Sequence, residues 1–128
     1  MEKSLKEAQD YEIRARREIA EAREHLNKAF LETAASTAYY ACFYAIHSQL
    51  ARLGVLAGSH KQAGVEFRRH FILNNLLDKK YSRFWTELSK WRQTVDYTAL
   101  PVIDEEKGKE LVDMAEDFVM VLLKIKPA

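Results

Sequence analysis

Residues 34–51 read AASTAYYACFYAIHSQLA. Ala34, Ala35, Ala38, Ala41, Cys42 and Ala45 share one helical stripe, and Tyr39, Phe43, Ile46, Leu50 and Leu53 form a second beside it. Small side chains on the first stripe let another backbone approach closely, while the second fills space with bulk. Such cover, around more than half the circumference, marks a central helix rather than a surface one. Two buried faces require at least two partner helices, and three fit better. An all-α architecture is therefore expected.

Upstream, Leu5, Ala8, Glu12, Ala15, Ile19, Ala22 and Leu26 alternate steps of three and four, which predicts a helix over about 3–29. Glu12 is an acid on that apolar seam, expected either to reach solvent or an arginine, or to serve a polar site. The central helix is predicted over about 32–53, ending at Gly54, which tolerates the left-handed C-cap conformation. Ser59 is a good N-cap for a third helix over about 60–74, with Phe67 and Phe71 one turn apart. Tyr81, Phe84, Leu88, Trp91 and Val95 mark a fourth over about 80–97. Pro101 interrupts the chain, and Asp104 caps a fifth over about 105–125, carrying Leu111, Ala115, Phe118, Leu122 and Ile125. Gly64 and Gly108 lie inside these helices, where each costs about 1 kcal/mol against Ala. The expected fold is an up-and-down bundle of four long helices with one additional short helix.

The 128 residues suit one domain, 1–128, with one core. With 20 basic against 19 acidic residues, the net charge of +1 gives no strong non-specific pull on nucleic acid or membrane. No apolar run approaches the roughly 18 residues of a membrane span, and the chain is charged from Glu2 onward, unlike a secretory signal. A single cysteine, Cys42, cannot form an intramolecular disulfide, so a cytoplasmic location is expected. The charge is segregated, however. Residues 59–92 carry eight Lys or Arg against three acids, and residues 104–117 carry seven acids against two Lys. Either these are solvated faces that attract each other, or a basic groove for phosphates lies beside an acidic face.

Several chemistries are excluded by residue type and spacing. Di-iron bundles need paired Glu-x-x-His motifs, and no His lies three residues after a Glu; Glu21/His25 and Glu66/His70 are four apart. One Cys and four scattered His make a poor zinc site. No glycine-rich phosphate loop or nucleophile elbow occurs, so no metal or cofactor is expected.

Three polar features remain. Thr37, Tyr40, Tyr44 and His47 form a strip on helix two, read either as tyrosines with surface hydroxyls or as interface or ligand contacts. On helix four, Arg92 and Asp96 are one turn apart. They form either a simple ion pair or a guanidinium held so that its fork faces a phosphate. His60 and Lys61 open helix three: either His60 merely caps or packs, or the free backbone N–H groups there, with Arg68 and Arg69 further along, hold a nucleotide phosphate.

Tyr39-Tyr40-Ala41-Cys42-Phe43-Tyr44-Ala45, Gly54, Ser59-His60-Lys61, Phe67, Phe71 and Arg92 through Asp96-Tyr97, taken in order, resemble the HEPN superfamily. The nearest likeness is to its small stand-alone prokaryotic branch with an R-x-x-x-D-Y pattern. The resemblance implies a helical bundle that commonly dimerises and serves toxin–antitoxin or defence-like modules, often beside a minimal nucleotidyltransferase. Active HEPN ribonucleases are metal-independent and pair an Arg with a His four to six positions later. Here Arg92 matches the Arg, but Asp96 and Tyr97 stand where the His is expected, and no His follows His70. An aspartate ionised at neutral pH is a poor proton shuttle. Tyr97 is the position that matches the tyrosine to which a partner transferase attaches nucleotide. The leading expectation is a non-catalytic homodimer that binds a nucleotide, RNA or a nucleotidyltransferase through Arg92, Asp96, Tyr97, His60 and Lys61. Tyr40, Tyr44 and His47 are its expected interface contacts. The rivals are a ribonuclease that uses Arg92 with His47 or His60, and a dimeric scaffold.

Overall fold

The computed structural model describes residues 2–126, with helices α1 (Glu2–Asn27), α2 (Leu31–Arg52), α3 (His60–Phe67), α4 (Lys79–Tyr97) and α5 (Glu105–Lys124). No strand occurs among the described residues. Four helices are long and α3 is short, as the periodicities predict.

Helix α2 packs against all four others. Its alanine stripe and Cys42 are fully buried. One edge faces α1, where the Ser48 hydroxyl donates to the Ala8 carbonyl at 2.7 Å. Another faces α5, where the buried Gln49 amide donates to the carbonyls of Leu122 and Ile125 and so satisfies the helix end. Ala8, Ala15 and Ala22 on α1 are also fully buried, so the α1–α2 contact pairs small side chains with small side chains. Glu12 pairs with Arg52 at 3.0 Å and Arg16 at 3.5 Å, which accounts for an acid on that seam.

The capping signals behave as their chemistry requires. The side chains of Ser59 and Asp104 accept from the N–H groups of Gln62 and Lys107, and Gly54 ends α2 at φ +71. Helix three departs from expectation. Rather than one helix over 60–74, it is α to Phe67 and π over Arg68–Ile72, with the Leu73 N–H donating to the Arg68 carbonyl at 2.9 Å. The extra residue in that turn accompanies Phe67 and Phe71 fully buried, with Phe67 against Phe118 of α5 at 5.4 Å. A π segment of this kind is frequent at functional sites.

Helix α1 also stops earlier than predicted. Its end is a Schellman motif: Phe30 N–H to His25 carbonyl, Ala29 N–H to Leu26 carbonyl, and Ala29 at φ +60. No glycine marks the stop, so the sequence carries no signal for it. Ala29 is exposed and pays the Cβ penalty of the left-handed region. Ala29→Gly is expected to stabilise the fold by up to about 1 kcal/mol in urea unfolding; a destabilised variant contradicts the assignment of this turn.

Candidate functional site

Helix α2 presents Tyr39, which is 1% exposed, to α4. Its ring stacks on Trp85 at 4.9 Å, and the Arg92 guanidinium lies over it with Cζ 4.8 Å from the centroid. Trp85, Ser89, Arg92 and Asp96 recur at steps of four, three and four, so they share one face of α4. From the start of α3, His60 places Nδ1 2.6 Å from the Tyr39 hydroxyl and lays its ring flat on Phe43 at 4.4 Å. Three helices thus converge on one phenol.

Between α3 and α4 these residues line a groove of about 380 Å³, with Lys61 and Arg68 on the α3 side. Among the described residues no carboxylate lines it. Gly64 keeps it open, because a Cβ there would lie 3.1 Å from the Trp85 indole nitrogen, part of a rigid ring. Arg68, at the start of the π segment, donates from Nε to Ser82 Oγ at 3.0 Å and from Nη2 to Thr86 Oγ1 at 2.9 Å. Hydroxyls therefore orient this cation without neutralising it. Arg92 is 11% exposed and pairs with Asp96 at 3.6 Å, while its Nε is buried with no partner among the described residues. A guanidinium with donors to spare at the wall of a cationic groove is suited to an oxyanion.

The charge segregation bears on this groove. Among the described residues no Lys or Arg of 59–92 pairs with an acid of 104–117. Of the α5 acids, Asp113 and Glu116 pair with Arg23 of α1, and Asp117 accepts from the Tyr81 hydroxyl of α4 at 2.7 Å. A larger cleft, about 510 Å³, lies by Leu5, Arg52 and Lys124, but its Arg52 is already held by Glu12.

The residues singled out in the sequence divide by position. Arg92, His60 and Lys61 line the groove. Asp96 stands behind Arg92 and outside the lining, where Ser36 Oγ reaches it at 3.5 Å. Tyr97, 79% exposed, lies outside the lining as well. Tyr40, Tyr44 and His47 are half-buried and continue the aromatic contacts along α2. Tyr11 of α1 packs on Tyr44 and His47, and Arg14 lies over the Tyr44 ring at 4.8 Å. Sequence reasoning took Tyr39 as core bulk and passed over Trp85. The seven-residue step from Trp85 to Arg92 is the signal that was there to be read.

Burial sets the ionisation of this cluster. It pushes the Tyr39 phenol up to about 12, against the lowering pull of Arg92. His60 is held below the usual imidazole value by burial and then by Arg92, and His47 by burial and then by His60. Both imidazoles are therefore neutral at neutral pH. A histidine with a depressed value in the folded state stabilises the fold above about pH 6.5, and that contribution is lost as pH falls through the folded value. The wild type is expected to lose thermal stability from about pH 7 to about pH 5, and His47→Gln to lose less over that interval. Parallel curves for the two proteins refute this assignment.

Comparison with known proteins agrees with the fold and with the family resemblance. Residues 8–126 match the HEPN domain family. Over 112 residues the chain is 29% identical to a UPF0332 protein of Thermotoga maritima, covering 88% of this chain and 85% of that one. Over 100 residues it is 31% identical to a candidate toxin of Methanocaldococcus jannaschii, covering 77% of this chain and 68% of that one. A match over nearly the whole chain places this protein in the HEPN family.

Proposed function

We propose that the chain is a binding module for a phosphate-bearing ligand, a nucleotide or single-stranded RNA, in a toxin–antitoxin or defence-like system. The observation that carries this reading is the carboxylate-free groove into which Lys61, Arg68 and Arg92 face, with one buried donor of Arg92 unpaired. Arg92 supplies a planar fork to the phosphate, Lys61 a mobile point charge and Arg68 a fixed second cation. Asp96 orients Arg92 from behind, and the exposed Tyr97 is open to a nucleotidyltransferase partner. Tyr40, Tyr44 and His47 extend the aromatic edge along which ligand is laid. Homodimerisation, a cytoplasmic setting and a single domain over residues 1–128 belong to the same reading. The resemblance to a candidate toxin supports the class of system.

A second reading, metal-independent RNA cleavage, is favoured by the placement of His60. The sequence lacks a His after Arg92, yet the fold supplies one from α3, joined to the phenol beneath the guanidinium. With Nδ1–H donated to the Tyr39 oxygen, Nε2 is free to take the proton of a ribose 2′-hydroxyl while Arg92 holds the charge on the phosphate.

Titration of the protein with a fluorescent single-stranded RNA in EDTA separates the two. The binding module is expected to retain the strand intact, and Arg92→Ala to weaken binding by about tenfold or more. Cleavage that disappears in both Arg92→Ala and His60→Ala selects the nuclease instead. Unchanged RNA and phosphate affinity in Arg92→Ala refutes both.

A further inference from the structure

A second cavity lies beyond His60 along α2, and neither the family motif nor the groove accounts for it. Ser4, Glu7 and Tyr11 of α1, His47 and Ala51 of α2, and residues 54–57 enclose about 120 Å³. Its aromatic wall is built from Tyr11 and His47, 5.2 Å apart and tilted by 35°. Glu7, an exposed residue, lines this cavity and pairs with no cation among the described residues. Leu56 at the rim is 88% exposed, an apolar side chain with nothing to cover.

The cavity is one ring away from the phosphate groove. Phe43 contacts His60 at 4.4 Å on one side and His47 at 4.4 Å on the other. A sugar lying across the edge of Phe43 would join a phosphate in the groove to a base in the cavity. We propose that this cavity is a nucleobase subsite that selects a base bearing an exocyclic amine, cytosine or adenine. The inference rests on the phosphate-binding reading of the groove. Tyr11 and His47 offer the base an aromatic wall. Glu7 accepts the N–H of the amine, because an ionised carboxylate is acceptor-only. A base with a carbonyl at that position, uracil or hypoxanthine, meets the carboxylate with two acceptors and no hydrogen between them. Leu56 loses its exposed surface when the base is seated.

Calorimetric titration with inorganic phosphate, CMP, UMP, AMP and IMP tests this, with cytidine and uridine tetranucleotides as a second arm. The wild type is expected to prefer CMP over UMP and AMP over IMP by about tenfold, the scale of one base-edge contact. Glu7→Gln, a substitution at an exposed position, is expected to abolish both preferences and leave inorganic phosphate binding unchanged. Arg92→Ala is expected to weaken every ligand and preserve the preferences. If only the tetranucleotides show the preference, the source of the base is a strand; if the mononucleotides show it too, free nucleotides suffice. Equal affinities across the pairs, or preferences that survive Glu7→Gln, overturn the base subsite while leaving the groove intact. Failure to bind phosphate or any nucleotide overturns both.

Discussion

Close approach of helices to α2 sets the positions of everything else in the molecule. Alanines at the contact let the α1 and α5 backbones come near enough for Ser48 and Gln49 to reach their carbonyls. Because α2 is then enclosed, its one buried tyrosine, Tyr39, is accommodated toward α4. The phenol is buried there with its hydroxyl turned to the end of α3. A larger residue on the alanine stripe would push the neighbouring helices outward, and the convergence on Tyr39 depends on their spacing.

Around that phenol Arg92 is held in place with donors left over. A guanidinium over an aromatic face gains about 0.5–2 kcal/mol, enough to fix its plane without saturating its donors. The same logic explains why Arg68 is held by Ser82 and Thr86. Neutral acceptors fix its geometry and leave its full charge directed at the groove.

Long-range charge placement completes the picture. The chain is nearly neutral as a whole, so the anion binding proposed for the groove would come from local arrangement rather than from net charge. Pairing of α5 acids with Arg23 keeps those acids occupied on the α1 side. The strip of Tyr40, Phe43, Tyr44 and His47 then links two cavities of different chemistry, one cationic and one with a carboxylate at its wall. Such a pair suits a ligand with an anionic end and a polar aromatic end.

The sequence by itself determined the helices. Steps of three and four place apolar residues on one side, and Ser59, Asp104 and Gly54 mark ends through hydrogen bonds and backbone freedom that act within a few residues. It also singles out Arg92, His60 and Lys61 as separate residues, and all three line the groove. Where local chemistry was silent, the reading ran out. Ala29 takes a left-handed turn without glycine, and the π segment at Arg68 answers to the packing of Phe67 and Phe71. Only the tertiary structure decided that His60, Tyr39 and Arg92 meet, that Asp96 and Tyr97 stand outside the groove, and that Tyr11 joins the strip on α2. Periodicity fixes which way a side chain leaves its own helix, but which side chains meet across helices depends on how closely and at what rotation the helices pack.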